Sequence, residues 1–251
     1  MKTVLITGCS SGFGLATAQY FLERNWKVIA TMRTPDEALF AASEHLRVLA
    51  LDVTNPSSIQ QVIEAAGPVD VLVNNAGIGL LGALEGISMQ AIRGIFETNT
   101  FGTMAMIQAV LPQFRQRKAG VVINVTSSVT IKSLPLLSVY TASKAAVNAF
   151  TESLSIELAP FNVQMNLVLP GRAPGTDFGK NAQPRMQGSI PEAYADLAQK
   201  VFAEFGQSSV VTEAQDVAQA VWHAANDPAS PMRMVAGADA VALEREQSTP
   251  A

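Results

Sequence analysis

Tyr140 and Lys144 lie four positions apart in the stretch Tyr140-Thr141-Ala142-Ser143-Lys144, at the start of a predicted helix. Residues four apart share one face of a helix, so the phenol and the ammonium group can reach the same small volume. A close cation favours the phenolate and moves the pKa of a tyrosine down from about 10, toward the range of efficient proton transfer. The pair therefore predicts a general acid or base. The alternative is an ordinary, partly exposed helix face.

A glycine-rich stretch, Gly8-Cys9-Ser10-Ser11-Gly12-Phe13-Gly14, joins a predicted buried strand at Thr3–Thr7 to a predicted helix from Leu15. Glycine permits a tight turn and close approach of the backbone to a pyrophosphate, whose charge the helix N-terminus stabilises. The spacing is G-x-x-x-G-x-G rather than the general G-x-G-x-x-G. The stretch predicts a dinucleotide site, although any tight strand-to-helix turn can use glycine. Cys9 is interpreted as a small filler.

The second predicted strand, Lys27–Met32, ends at Arg33. In dinucleotide-binding sheets an acidic residue here receives the ribose hydroxyls of NAD, whereas an arginine accommodates the extra phosphate of NADP. The acidic residues of Thr34-Pro35-Asp36-Glu37 come later, in a predicted helix start with Thr34 as N-cap and Glu37 closing a capping box. We therefore expect NADP(H) rather than NAD(H), with Arg33 and Ser11 as phosphate contacts. The alternative is a solvated surface arginine.

Strand and helix patterns alternate along the chain and indicate a parallel sheet covered on both faces. Further strands are predicted at Arg47–Val53, Val69–Val73, Val121–Thr126, Asn162–Leu169 and Met232–Ala236, and helices at about Pro56–Ala66, Ser88–Arg117 and Tyr140–Leu158 and from a capping box at Thr212–Gln215. Ligands collect at the carboxyl ends of such strands. Asp52-Val53, Asn74-Asn75-Ala76-Gly77 and Ser127-Ser128 are expected at that edge.

The predicted helix from Ser88 to Arg117 contains two residues that helices disfavour. Asn99 competes for backbone hydrogen bonds, and Gly102 costs about 1 kcal/mol relative to alanine. We expect a local irregularity that packing or chemistry compensates. Whether Asn99 has a chemical role stays open on this pattern alone.

The regular alternation stops from Arg172 to Gly206, within a window of about residues 172–210. Long connections within a domain are usually functional. We interpret this one as an adjustable apolar cover over a substrate pocket that Leu134, Ser138 and Val139 also shape. The alternative is a helical pair packed on the body, with its aromatic residues in the core.

The composition predicts one globular domain spanning residues 1–251, with 48% hydrophobic residues and a formal net charge of -4. The lack of a Lys/Arg cluster argues against nucleic acid or an anionic membrane as a partner. One cysteine and two histidines offer no intrachain disulfide and no recognisable zinc spacing. The first apolar run is too short for a secretory leader, and no stretch approaches the ~20 apolar residues of a membrane helix. We therefore expect a cytoplasmic protein.

Several of these motifs occur together in one order over essentially the whole chain: Thr7-Gly8, Gly12-Phe13-Gly14, Asn74-Asn75-Ala76-Gly77, Asn99, Ser127, Tyr140, Lys144 and Pro170-Gly171. The set resembles the short-chain dehydrogenase/reductase family, in its smaller-subunit form with TGxxxGxG and YxxxK motifs. The resemblance implies a Rossmann-like, three-layer α/β/α fold with about seven parallel strands in the order 3-2-1-4-5-6-7. It also implies hydride transfer between a nicotinamide and a carbonyl or alcohol carbon. Homodimers or homotetramers built on the long fourth and fifth helices are a further implication.

The resemblance also implies individual roles. Tyr140 would give a proton to the carbonyl oxygen or remove it from the alcohol, and Lys144 would lower its pKa and hold the nicotinamide ribose. Ser127 would hydrogen-bond the substrate oxygen, and Asn99 would hold a water that links Lys144 to solvent. The residues implied to line the cofactor are Gly8, Ser10, Ser11, Gly12, Phe13, Gly14, Arg33, Asp52, Val53, Asn74, Asn75, Ala76, Gly77, Tyr140, Lys144, Pro170 and Gly171.

The chain departs from the family pattern at three places. The threonine after Pro170-Gly171 is displaced by one position, to Thr176, which puts its contact with the cofactor carboxamide in doubt. Thr130 replaces a glycine that is common after the catalytic serine. The aspartate-glycine-glycine near the last strand is matched only loosely, by Gly237-Ala238-Asp239.

The function expected from these observations is an NADP(H)-dependent carbonyl reductase or alcohol dehydrogenase for a small apolar substrate. Two alternatives differ in class. A lyase of the halohydrin dehalogenase kind resembles this family but lacks the lysine and the glycine-rich loop. A non-catalytic, NADP(H)-sensing or regulatory protein typically loses the tyrosine or the lysine. This chain keeps both residues and the loop.

Overall fold

The computed structural model describes residues 1–207 and 209–248, and its sheet within those ranges has seven parallel strands. The strands are β1 (Thr3–Thr7), β2 (Lys27–Met32), β3 (Leu46–Ala50), β4 (Val71–Asn74), β5 (Gly120–Val125), β6 (Val163–Pro170) and β7 (Arg233–Ala236). Their order is β3-β2-β1-β4-β5-β6-β7, which confirms the expected topology. The strand order reverses between β1 and β4, because β2 and β3 lie on one side of β1 and β4 lies on the other. In such folds the crevice for ligands opens at this point.

Helices cover both faces of the sheet. They are α1 (Gly12–Leu22), α2 (Pro56–Ala66), α3 (Met89–Phe96), α4 (Gly102–Arg117), α5 (Ser138–Leu158), α6 (Phe178–Met186), α7 (Ala195–Gln207), α8 (Ala214–Asn226) and α9 (Ala238–Ser248). Within the described ranges, no helix is long and apolar enough to cross a membrane.

The alternation of side chains along β1 divides the apolar core into two layers. Val4 and Ile6 pack on one side with Phe21 of α1 and Val217 of α8. On the other side, Leu5 belongs to a cluster with residues of α2 and α4, among them Val62, Met106 and Val110. Because both faces of the parallel strands are buried, the strands read as continuous apolar runs rather than alternating ones.

The predicted helix from Ser88 to Arg117 is interrupted as expected. It consists of α3, a π-helical turn at Glu97–Phe101 that contains Asn99, and α4. Gly102 follows the turn because a Cβ there would lie 2.8 Å from Cγ2 of Val53. The glycine therefore allows α4 to pack closely against the segment after β3, and this contact compensates its low helix propensity.

Two predicted helix starts were wrong in detail. Thr34 caps no helix: Asp36 accepts a 3.0 Å hydrogen bond from the Ala38 amide and opens a short 3-10 turn instead. An aspartate can form this bond to a residue two positions on, so it outcompetes the threonine. The capping box of α8 is formed by Glu213 and Asp216, one position later than predicted, because the Thr212 hydroxyl bonds elsewhere.

The segment of residues 172–207 forms α6, a 3-10 turn at Glu192–Tyr194, and α7. Ala198 and Val201 of α7 pack on Leu81 and Leu136 of the body, with Met186, Tyr194 and Phe205 partly buried around them. The segment thus packs on the body as a helical pair, although Phe202 is exposed rather than in the core. Its role as a substrate cover stays a prediction.

Candidate active site

Helix α5 carries Tyr140 and Lys144 on its buried face. Both side chains are almost fully buried, with 7% and 5% of their surface exposed. The helix begins two residues before the tyrosine, at Ser138, and lies beside β6 and the π-helical turn. The spacing of four therefore delivers both groups to one side of the helix, as predicted from the sequence.

Ser127 reaches the same place from the end of β5. It caps a short 3-10 turn at Ser128–Thr130, and its Oγ accepts a 3.3 Å hydrogen bond from the Val129 amide. The Ser127 side chain is buried and hydrogen-bonds that of Tyr140. The structure thus brings the hydroxyl and the phenol together, as the resemblance implied.

Lys144 and Asn99 meet at Gly77. The Lys144 ammonium donates a 3.0 Å hydrogen bond to the Val125 carbonyl at the end of β5. A Cβ on Gly77 would lie 3.3 Å from both Lys144 Nζ and Asn99 Oδ1. Glycine therefore leaves the space in which these two polar groups converge.

Burial sets the ionisation of the Tyr140 and Lys144 pair. It raises the pKa of Tyr140 to about 12, against a smaller lowering by the Ser127 hydrogen bond. It lowers the pKa of Lys144 to about 8. The expected lowering of the tyrosine pKa by the lysine is therefore wrong for this structure, because withdrawal of the phenolate from water outweighs the favourable contacts. At neutral pH the phenol keeps its proton and can donate it.

Asn99 is fixed by hydrogen bonds in the π-helical turn. Its Oδ1 accepts from the Ile78 amide at 2.8 Å, and its Nδ2 donates to the Ile78 carbonyl and to Ser143 Oγ. Ser143 Oγ in turn donates to the Tyr140 carbonyl at 2.7 Å. The Thr100 hydroxyl adds a bond to the Ser143 carbonyl. The irregular turn that Asn99 required thus fastens the loop after β4 to the catalytic helix.

The glycine-rich turn has the backbone shape that only glycine adopts easily. Gly8 and Gly12 have φ values of +75° and +56°, and a Cβ on Gly14 would collide with the Gly8 carbonyl. Ser11, the N-cap of α1, makes no side-chain capping bond, so the first amides of α1 point to a ligand site at the sheet edge. Ser10 is exposed beside them, whereas Phe13 packs partly into the core.

The loop after β4 is tied to this turn. Asn75 Nδ2 donates to the carbonyls of Thr7 and Gly8 at 2.9 and 3.1 Å. The amides of Asn75 and Ala76 both donate to Thr7 Oγ1. Behind them, Asn74 Nδ2 donates to Asn124 Oδ1 at 2.9 Å. This stretch therefore joins the loop after β4 to the glycine-rich turn, and Thr7 Oγ1 is a contributor that the sequence did not single out.

The tips of β2 and β3 carry opposite charges. Arg33 is exposed at the end of β2. The Asp52 carboxylate accepts two hydrogen bonds from Thr54, which lower its pKa, and the positive charge of Arg33 lowers it further. Arg185 of α6 lies near this corner and donates to the Gly79 carbonyl, and burial and the charge of Arg33 lower its pKa. The two guanidinium groups are therefore close enough to repel each other.

The loop after β6 is fastened by a network that the sequence did not reveal. The amide of Gly171 donates to Thr212 Oγ1 at 2.9 Å, and the amide of Arg172 donates to Asp239 at 2.6 Å. The Thr212 hydroxyl donates to the same carboxylate. A Cβ on Gly171 would collide with Asp239. The loosely matched Gly237-Ala238-Asp239 motif therefore holds the Pro170-Gly171 loop.

Residues just before and within α6 lie over the site. The Phe178 ring is 5.8 Å from the Tyr140 ring, centroid to centroid. A Cβ on Gly79 would lie 2.8 Å from Phe178 Cε1, so glycine permits this approach. A Cβ on Gly12 would be 3.3 Å from Thr176 Cβ. Phe178 was missed from the sequence because only the long, irregular connection signalled a functional segment.

The residues predicted to shape the substrate pocket differ in burial. Val139 packs in a buried cluster with Leu80, Ile87 and Ile95. Ser138 is exposed at the start of α5, and Leu134 is partly buried in the loop before it. No group of three or more metal-ligating side chains occurs within the described residues.

Comparison with known proteins identifies relatives along most of the chain. A family model described as short chain dehydrogenase matches residues 2–187. Human retinol dehydrogenase 8 is 36% identical over 254 residues, which cover 92% of this chain and 80% of that protein. The 3-ketodihydrosphingosine reductase of Bacteroides thetaiotaomicron is 39% identical over 199 residues, which cover 78% of this chain and 72% of the relative.

Solved structures share the fold. A short-chain dehydrogenase from Streptomyces avermitilis has a TM-score of 0.82 and 32% identity, over 98% of this chain and 91% of the other. The closed form of a serine dehydrogenase with NADP+ has a TM-score of 0.80 and 26% identity, over 93% of each chain. A short chain dehydrogenase/reductase from Burkholderia phymatum with NAD has a TM-score of 0.81 and 26% identity, over 97% and 92%.

Proposed function

This chain belongs to the short-chain dehydrogenase/reductase family, and on that premise we propose that it interconverts a ketone or aldehyde and an alcohol with NADP(H). The observation that carries the proposal is the meeting of Ser127, Tyr140 and Lys144 at the carboxyl edge of the sheet. The glycine-rich turn opens at the same edge. A nicotinamide cofactor held there supplies a hydride, while the protein supplies orientation and a proton donor.

Each polar group has one task in this reaction. Tyr140, protonated at neutral pH, donates its proton to the carbonyl oxygen during reduction. The Ser127 hydroxyl hydrogen-bonds the same oxygen and fixes its distance from the cofactor. Lys144 holds the ribose and stabilises the negative charge that develops on the Tyr140 oxygen as the proton leaves. Asn99 holds a water through which Lys144 exchanges protons with solvent, and the convergence of both groups at Gly77 supports this role.

The residues around the glycine-rich turn fit a dinucleotide. The first turn of α1 suits the pyrophosphate. The Ser11 side chain accepts no hydrogen bond from the first amides of the helix, so these amides can donate to phosphate oxygens. Gly77 leaves room beside Lys144 for the ribose, and Pro170-Gly171 lies at the expected place of the nicotinamide. The other residues of the proposed lining are Gly8, Ser10, Gly12, Phe13, Gly14, Val53, Asn74, Asn75 and Ala76.

The proposed preference is NADP(H) over NAD(H). Arg33, exposed at the end of β2, would receive the 2′-phosphate, and the charge of Arg185 acts on the same region. Asp52, the acidic residue nearby, is engaged by Thr54. Solved relatives bind either NADP+ or NAD, so the arginines carry this part of the proposal.

The proposed substrates are apolar carbonyl compounds or alcohols. Relatives are named for retinol and for 3-ketodihydrosphingosine. The described residues 172–207 of the predicted cover would lie over such a substrate, with Phe178 against the Tyr140 ring. The domain is proposed to act in the cytoplasm as a homodimer or homotetramer. The exposed apolar side chains of Phe101, just before α4, and Ile156, in α5, support this assembly, since Ile156 is 77% exposed.

The test is a comparison of NADPH and NADH consumption with a panel of aldehydes, ketones, steroids and diketones. We expect a substrate-dependent loss of NADPH absorbance, slower with NADH. Tyr140→Phe is the matched control, since it should bind NADPH normally and turn over no substrate. A protein that binds NADPH but reduces none of the panel would indicate a sensor. Wild-type rates in Tyr140→Phe would exclude the mechanism.

A further inference from the structure

Thr130 connects the turn that carries Ser127 to the helix that carries Tyr140. Its Oγ1 donates a 2.8 Å hydrogen bond to the Ser127 carbonyl. The same oxygen accepts a 2.9 Å hydrogen bond from Asn148 Nδ2. Thr130 thus uses its hydroxyl as donor and acceptor at once, and the two bonds join the backbone of Ser127 to a side chain of α5.

Asn148 is placed on the catalytic face of α5. It follows Lys144 by four positions and Tyr140 by eight, so the three side chains lie along one side of the helix. Asn148 is only 4% exposed. Its bond to Thr130 is partly buried, and a polar contact withdrawn from water is stronger than one at the surface.

The hydrogen bonds form a closed circuit around the two catalytic hydroxyl groups. Ser127 bonds Tyr140 through its side chain and Thr130 through its carbonyl. Thr130 is bound by Asn148, which returns to the helix of Tyr140. Without this tie, the backbone of the turn at Ser128–Thr130 would keep local bonds, such as the 3.2 Å bond from the Thr130 amide to the Ser127 carbonyl.

We propose that Thr130 and Asn148 are positioning residues that fix the Ser127 hydroxyl relative to the Tyr140 phenol. The proposal rests on the proposed function of these two hydroxyl groups. A misplacement of about 1 Å at a reacting centre can reduce the rate about a hundredfold. A side chain at position 130 supplies a constraint that glycine, which is common there in similar proteins, lacks.

The test compares Thr130→Val with Thr151→Val. Valine keeps the shape of threonine and removes the hydroxyl. Thr151 is a matched control because its hydroxyl is buried, donates to the Val147 carbonyl and accepts from Asn124, but contacts neither Ser127 nor Tyr140. Each variant is measured for kcat with an accepted carbonyl substrate, for the dissociation constant of NADPH by fluorescence, and for thermal unfolding.

We expect Thr130→Val to lower kcat about 10- to 100-fold with an unchanged NADPH dissociation constant. Thr151→Val should destabilise the protein comparably and leave kcat near the wild-type value. Thr130→Ser should restore most of the rate. Asn148→Leu should also lower kcat. The double variant with Thr130→Val should lose little more, because both substitutions remove the same hydrogen bond between Asn148 and Thr130.

A second measurement does not depend on turnover. The Val129 amide bonds Ser127 Oγ, so its hydrogen exchange reports the position of that side chain. It should accelerate in Thr130→Val and stay unchanged in Thr151→Val. Equal kcat and equal exchange in the two variants would overturn the proposal. A wild-type protein that reduces no carbonyl compound would count against the proposed function, while the exchange result would still decide whether Thr130 positions Ser127.

Discussion

Helix α5 and the α6–α7 segment both border the candidate site, but different forces hold them. Buried hydrogen bonds hold α5: Ser143 bonds Asn99 and Thr100, and Thr151 bonds Asn124. The α6–α7 segment combines apolar contacts of Ala198 and Val201 with the body and fewer hydrogen bonds, from Arg185 and Ser189 to the loop after β4. Hydrogen bonds are directional, whereas burial of apolar surface is not. We therefore expect the proton donor to be fixed more tightly in place than the proposed substrate cover.

The strongest test of the fixed region is Lys144→Met. We expect the kcat/KM for carbonyl reduction to fall about a thousandfold, because the developing phenolate loses its cation. The free energy of unfolding at pH 7 should rise. Burial lowers the pKa of Lys144 from 10.5 to about 8, so the charged ammonium destabilises the folded state. That shift corresponds to about 3 kcal/mol, an upper value here since the Val125 carbonyl loses its donor.

Urea unfolding at pH 7 checks the stability, and initial rates check the activity. Lys132→Met is a suitable control, since Lys132 is at the surface and pairs with Glu246. A free energy of unfolding lower in Lys144→Met than in the control would show that the buried ammonium stabilises the site instead.

The pH dependence tests the same region with a smaller effect. The reduction rate should be level between about pH 6 and pH 8 and decline above it, because Lys144 loses its proton near pH 8 while Tyr140 keeps its own to about 12. The unfolded chain retains the lysine proton up to its ordinary pKa of 10.5. The free energy of unfolding should therefore rise between about pH 8 and pH 10.5, where the unfolded chain binds more protons than the folded one. Rates and unfolding in overlapping buffers measure both. A rate that rises through pH 8 would contradict the assignment.

Asn124→Ala tests whether polar ties hold α5. Asn124 is fully buried, accepts from Asn74 and donates to Thr151. Its loss removes one hydrogen bond from each of two buried side chains, Asn74 and Thr151, and should destabilise the protein by about 2 to 4 kcal/mol. We expect kcat to fall only a few-fold, because the bonds of Ser143 remain. Chemical denaturation measures the first effect, and an unchanged midpoint would show that apolar packing suffices.

The smallest effect is expected from Phe178→Ala in the adjustable segment. Phe178 is 41% exposed and contacts the Tyr140 ring. The KM of bulky substrates should change less than about tenfold, with small substrates and thermal unfolding nearly unaffected. Steady-state kinetics with a small and a large ketone provide the measurement. Phe202→Ala, on an equally exposed ring of α7, is the control. A loss of kcat as large as that of Lys144→Met would remove the distinction between the two regions.

Local patterns in the sequence predicted much of the fold. The β-branched runs predicted β1 and β2 with their observed bounds, and α2 extends over Pro56–Ala66 as predicted. Local patterns also predicted the candidate site, through the spacing of Tyr140 and Lys144 and through the glycines of the first turn. Each depends on residues only a few positions apart.

Long-range contacts could not be predicted from the sequence. The bond between Arg172 and Asp239 joins residues 67 positions apart, and nothing in either stretch points to the other. The raised pKa of Tyr140 follows from its burial in the assembled fold, which the local motif does not encode. The same holds for the contact of Phe178 with the Tyr140 ring.

The network of Gly171, Thr212 and Asp239 has a consequence for synthesis on the ribosome. Asp239 is translated 67 positions after Arg172, and later than Tyr140 and Lys144. We therefore expect the loop after β6 to be fastened only after Asp239 has been synthesised. A chain released after Gly237 should bind NADPH more weakly than the full-length protein, and fluorescence titration of the two would show this.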